Sequence, residues 1–221
     1  VSIIWKELEI ENIGELLYAC NENRLIEAKG FGLKTQEEIK KAIEFAMASS
    51  GRYLYAHVEE VAETFLSSLK STLKTDLISY TADYRRRCEI IDGLDILIAS
   101  ENLTIQELAK LAGLQVHSAS QNGGELQTAS GIKILVTFCS AEDFAYQLAL
   151  QTGNENHVIE LKKRLGDQQP QVKTEAEVYA AAGLPFIEPE LREGLLEFEW
   201  ADKNTLPKLV EWKDLKGTLH N

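Results

Sequence analysis

The chain has 221 residues, 44% apolar and 26% charged, with a net charge of −12; that is enough for a core-bearing domain and a smaller module. The acidic balance argues against broad attachment to nucleic acid, which depends on Lys and Arg releasing phosphate counterions. There is no run of 18 apolar residues and no basic-apolar leader, so no membrane span or secretion is expected, and three cysteines without metal-type spacing (Cys20, Cys88 and Cys139) suit a reducing cytoplasm.

The chain opens at Val1 without an initiator Met and ends at His220-Asn221, which reads as a piece of a longer protein. The apolar pattern begins at Trp5, Leu8 and Ile10. Asn12, with Glu15 three residues on, forms a capping-box arrangement ahead of Leu16, Leu17, Ala19 and Cys20. Asn23 is placed to cap a short helix over 24–28. Gly30-Phe31-Gly32 predicts a tight hairpin, since glycine tolerates positive φ. Thr35 with Glu38 is a second capping box, followed by a helical stripe of Ile39, Ala42, Ile43 and Ala46.

Gly51 separates this region from a helix running from Tyr53 to about Lys70, on which His57 reads as structural or solvated. Residues 73–81 read as a strand. The stretch YRRRCEIIDGLDILIAS (84–100) carries Arg85, Arg86 and Arg87 into a turn at Asp92-Gly93. A strand follows, with Leu94, Ile96 and Ile98 on one face and Asp95 and Leu97 on the other. A carboxylate in so apolar a strand is costly unless a metal ion or a base pairs it; the plainer reading is an acidic outward position. The arginines suit a phosphate, or else pair with Glu89 or Asp92.

Thr104 and Glu107 cap the next helix. Strands are predicted over 114–120, 126–129 and 132–138, with turns at 121–124 and 130–131. This order suits an α+β fold with helices on one side of a sheet. Ser140 with Asp143 opens another helix, ending at Gln151-Thr152-Gly153-Asn154, and a further helix covers 156–165. Thr174 and Glu177 cap a helix to Ala182. GLPFIEPELREG (183–194) is an extended run, stiffened by Pro185 and Pro189, that Glu190, Arg192 and Glu193 can lock by ion pairs.

Three of these stretches carry a resemblance. KGFGLKTQEEIKKAI (29–43) resembles a helix-hairpin-helix motif, in which glycines let backbone approach a DNA phosphate and the following helix start favours an anion. The resemblance implies DNA contact by Gly30, Gly32, Lys34 and Thr35, and a monovalent cation at the hairpin. Residues 84–100 and 183–194 resemble bacterial family X DNA polymerases that carry a C-terminal PHP phosphoesterase domain. That implies a helical helix-hairpin-helix module over 1–50 and a nucleotidyltransferase-like palm with a mixed β-sheet over 51–150. A small thumb remnant over 151–194 and a linker over 195–221 would then lead to a PHP domain, with His220 at its first metal motif.

The same resemblance implies a damaged centre. Asp95 matches one of the family's three Mg²⁺-binding carboxylates, while Gly93 and Leu135 replace the other two, and Ala82-Asp83 replaces Gly-Ser. Arg85, Arg86, Arg87, Thr152 and Gly153 fall at nucleotide- or phosphate-binding positions. His157 matches there too, while Asn154 and Val158 depart. Two-metal transfer needs ions held about 3.5–4 Å apart, which one aspartate cannot do; a turn at Gly93 would have to bring Asp92 in. The expectation is a DNA repair protein's polymerase-like core that grips DNA backbone weakly, with nucleotidyl transfer lost or very weak, and positions DNA for an attached phosphoesterase domain. The alternatives are an active Mg²⁺-dependent gap-filling polymerase, and a structural or protein-interaction module without nucleic acid.

Overall fold

The structure, a computed structural model, describes residues 10, 12–28, 30–166 and 169–217. The expectations for Trp5, Leu8 and His220 lie outside the described residues. Helix α1 (Ile13–Asn21) begins where the Asn12 side chain accepts a hydrogen bond from the Glu15 amide at 2.8 Å. Asn23 does not cap the short 3₁₀ turn Leu25–Glu27. It adopts a left-handed φ of 58° and accepts a bond from Gln36 instead. Helix α2 (Leu33–Ser50) starts two residues before Thr35, because the Gly32 carbonyl already accepts from the Gln36 amide; Thr35 therefore lies inside the first turn rather than capping it.

A two-stranded ribbon, β1 (Tyr53–Leu54) with β3 (Ile90–Ile91), joins this module to the rest. Leu17, Ile43 and Leu54 form a small core there, with Ile90 packed against it. Helix α3 (Tyr55–Leu73) runs further than its sequence pattern indicated, since the stripe through Val58, Ala62 and Leu69 continues at helical spacing to Leu73. The strand expected over 73–81 shortens to β2 (Ile78–Tyr80). A short helix α4 (Ala82–Arg85), not expected from the sequence, precedes β3, and the chain bends at Asp92-Gly93, as expected, between β3 and β4 (Leu94–Ala99).

Helix α5 (Ile105–Ala112) carries the complete Thr104–Glu107 capping box. Strands β5 (Gln115–Ser120), β6 (Gly123–Gln127) and β7 (Lys133–Cys139) then complete a five-stranded sheet in the order β2-β4-β7-β6-β5. β4 and β7 are parallel and the other pairs antiparallel, so the sheet is mixed and the fold α+β. Leu94, Ile96, Ile98, Ile134 and Val136 point to one face, against Val58, Ala62 and Leu69 of α3 and Ile105 and Leu108 of α5. Each fully buried Leu or Ile contributes about 1.5–3 kcal/mol.

Helices cover both faces rather than one. Helix α6 (Phe144–Thr152) lays Phe144 and Leu148 on Leu97, with Ala99 and Cys139 beside them. It covers one end of β4 and β7 and leaves the other end, at Asp95 and Leu135, open. Helices α7 (Glu155–Leu165), α8 (Glu175–Ala181) and α9 (Glu197–Asp202) build a second core from Leu161, Val178, Tyr179, Leu184, Ile187 and Ala201. Ala149 of α6 belongs to it, so one helix serves both cores, and the second core continues past residue 194 to Ala201. Among the described residues no helix is long and apolar enough to cross a membrane.

Candidate functional site

Pairing of β4 with β7 sets Asp95 directly beside Leu135 on the open sheet face. Leu135 is 50% exposed, which is unusual for a leucine in a central strand. Across the other edge of β7, Glu125 of β6 is the register partner of Leu135. Glu125 went unremarked in the sequence, although alternation with buried Leu126 places it on this face. The Asp95 carbonyl accepts from the Thr81 amide at 2.9 Å, but its carboxylate has no hydrogen-bond or ion-pair partner among the described residues. Burial raises its pKa to about 6, reinforced by the negative charges of Asp83 and Asp92 and opposed by Arg86.

The neighbouring acids are already engaged. Asp92 pairs with Arg52 at 3.1 Å and Asp83 with Arg86 at 2.6 Å. At Gly93, φ is +143°, and a Cβ there would lie 2.9 Å from the Lys133 carbonyl oxygen. A side chain at 93 is thus excluded by backbone as well as by conformation. Magnesium needs near-octahedral oxygen ligands, usually including one or two carboxylates. Among the described residues no three His, Cys, Asp or Glu side chains converge to hold an ion. The donors around Asp95 do not fit a two-ion centre.

The three arginines do not form an open anion site. Arg85 makes two bonds to the Glu175 carboxylate, at 2.8 and 2.7 Å, and a third to Thr152 Oγ1 at 2.6 Å. Arg86 is buried and donates to Glu193, to the Thr152 carbonyl and to Asp83. Arg87 remains 62% exposed and pairs with Glu190 at 3.3 Å. Their acidic partners are therefore not Glu89 or Asp92 but Asp83 and three acids of the C-terminal part, Glu175, Glu190 and Glu193. Arg192, fully buried, joins the same network through Glu175 and the Ile187 carbonyl and lies over the Tyr179 ring. Glu190, Arg192 and Glu193 thus act as struts, as their spacing suggested.

Thr152 and Gly153 also differ from the nucleotide-contact expectation. Thr152 is fully buried, and its hydroxyl donates to the Leu148 carbonyl while accepting from Arg85. A Cβ on Gly153 would meet the His157 ring at 2.6 Å. His157 is itself fully buried, 2.8 Å from Glu197 through Nδ1 and 2.9 Å from the Tyr179 hydroxyl through Nε2. Burial lowers its pKa against the opposing pull of Glu197. The neutral ring then donates from Nδ1 and accepts at Nε2. These residues fasten α7 to α8 and α9.

The hairpin is different in kind. Gly30 takes a φ of +94°, and added side chains at Gly30 and Gly32 would meet nothing within 4 Å. Lys34 is 91% exposed and only loosely paired with Glu38 at 3.9 Å. Thr35 is exposed beside it, and the first turn of α2 has no acidic residue. Beneath them Gln36, 1% exposed, donates to Asn23 at 2.8 Å and anchors the hairpin to the preceding turn. Bare backbone, a helix start and a free-swinging cation therefore lie together on the surface.

No family model matches the chain. Over its whole length it is 25% identical to the "DNA polymerase/3'-5' exonuclease PolX" of Bacillus subtilis (strain 168), and it spans 42% of that protein. Along its own length the chain is thus similar to part of that bacterial polymerase, and its mixed-sheet α+β fold is in keeping with the likeness.

Proposed function

We propose that this chain is the DNA-binding, polymerase-like core of a DNA repair protein whose own nucleotidyl transfer is lost or very weak. It would hold DNA by backbone contacts and position it for an attached phosphoesterase domain. The observation that carries this reading is the register of Asp95 with an exposed Leu135, which puts a hydrocarbon side chain beside a lone carboxylate. The backbone at Gly93, where an added Cβ would lie 2.9 Å from the Lys133 carbonyl oxygen, supports it. The hairpin at Gly30, Gly32, Lys34 and Thr35 supplies the DNA side, since such a surface grips phosphate without reading sequence. The Bacillus subtilis protein is named as both a polymerase and an exonuclease, in keeping with a polymerase-like core that serves another activity.

Binding to a gapped duplex, titrated over a salt series, tests the DNA contact. Lys34→Glu should weaken binding about equally for all sequences and reduce the salt slope by about one. Lys34 is almost fully exposed, so the variant should melt like the parent. No binding at low salt, or binding indifferent to Lys34→Glu, contradicts the proposal.

A further inference from the structure

We propose that the cavity between α1 and the start of α3 receives an unpaired nucleobase of DNA. The cavity, of about 280 Å³, is bordered by Tyr18 and Asn21 of α1, by Tyr55 and His57 of α3, and by Arg87 and Glu89. It has room for a single heterocycle but not for a paired base step. Tyr55 is a preset stacking surface. Its ring stacks on Tyr84, with centroids 4.9 Å apart and planes 20° from parallel, and Tyr84 meets Tyr80 edge to face at 4.5 Å. Tyr80 and Tyr84 are buried, and the Tyr55 hydroxyl donates to Glu59 at 3.2 Å, so little ordering is left to be done when a ligand arrives. Tyr18 brings a second ring, 55% exposed. Aromatic side chains stack on the π-face of any base, which makes such a site tolerant of sequence.

The polar groups of the cavity suit the edge of a base. The side chains of Asn21, His57 and Glu89 have no hydrogen-bond or ion-pair partner among the described residues. Asn21 offers donors and an acceptor, neutral His57 one of each, and Glu89 acceptors only; an unpaired base presents mixed edges of this kind. Arg87 already faces Glu190 at 3.3 Å, so recognition here rests on rings and edges rather than on phosphate. The cavity is also tied to the hairpin. Asn21 ends α1, and two residues on Asn23 accepts from Gln36 of α2, one turn past the exposed Lys34. Backbone grip and base capture thus belong to one module.

The inference rests on the DNA-binding reading above and narrows it to DNA with unpaired bases. Fluorescence anisotropy tests it at one salt concentration, with a short duplex carrying a single-stranded thymidine tail and the same duplex with an abasic tail. The two DNAs have equal numbers of phosphates, so the contribution of the hairpin cancels. The parent should bind the thymidine-tailed DNA about tenfold more tightly, the equivalent of about 1.4 kcal/mol. Tyr18→Ala should lose that preference without losing affinity for the abasic DNA, and Tyr18→Trp should keep it. Tyr18 is exposed, so both variants should melt like the parent. Ala56→Leu, which fills part of the cavity from the exposed start of α3, should also abolish the preference and decides the matter should Tyr18→Ala fold poorly. Equal binding of the two DNAs by the parent overturns the proposal, as does a preference that survives in a folded Tyr18→Ala or Ala56→Leu. If binding falls in Lys34→Glu but ignores the bases, only this inference fails; if neither DNA binds, the DNA-binding reading fails with it.

Discussion

Replacing Glu175 with alanine should lower the stability of the protein by about 3–5 kcal/mol, the cost typical of removing one partner from a buried ion pair. Glu175 is the acid on which two arginines converge, Arg85 with both terminal nitrogens and Arg192 with one. Arg192 is fully buried, and its Nη2 already lacks a partner. Without Glu175 its charge would keep only the Ile187 carbonyl and the flanking rings of Tyr179 and Phe186. Because Arg85 comes from α4 and Arg192 from the C-terminal core, both cores should loosen together. Urea denaturation at pH 7 measures the loss. The exposed pair Lys203–Glu199 is the comparison; breaking it should cost no more than about 0.5 kcal/mol.

The same residue predicts the acid limb. Burial alone would raise the Glu175 pKa, but the bonds from Arg85 and the charge of Arg192 outweigh it, and the group is held below its ordinary value. A carboxyl depressed in the folded state stabilises above its unfolded pKa, and that contribution is lost as pH falls through the folded value. The difference between parent and Glu175→Ala should therefore shrink as the solution is acidified.

Asp95→Asn should act in the opposite direction, raising stability at pH 7 by on the order of 2 kcal/mol. The folded pKa of Asp95, about 6, lies above the ordinary aspartate value of 3.8. Between those values the folded state binds the extra proton, so the Asp95 contribution to stability rises as pH falls and is unfavourable at pH 7. An asparagine never ionises and escapes this cost. Denaturation at pH 7 and pH 4 should show the gain at the first pH and little of it at the second. A variant less stable than the parent at pH 7 would mean that Asp95 has a favourable partner in solution.

Much of the fold was legible because its signals are local. The Asn12, Thr104 and Thr174 caps, the alternation through Leu94–Ile98 and the hairpin glycines follow from short-range rules, and the helices and strands stand close to where these put them. What failed was long-range. No spacing in the sequence pairs Arg85 with Glu175, ninety residues away, or Arg86 with Glu193, so the arginines read as suited to a phosphate or to the nearby Glu89 or Asp92. Thr152 and His157 are similar: the nucleotide contacts expected of them came from the resemblance alone, and their burial in the fold depends on tertiary packing. The cleft was half legible. The face of Asp95 followed from strand period, whereas the backbone obstruction at Gly93 depends on where β7 passes.

Primer extension on a gapped template, with deoxynucleotides and millimolar Mg²⁺ or Mn²⁺, tests the central claim most directly. The account predicts no incorporation above the protein-free control, under conditions where the same preparation binds the DNA. Template-directed incorporation that disappears in Asp95→Ala would contradict it, because a lone carboxylate beside Leu135 would then be supporting metal-dependent transfer.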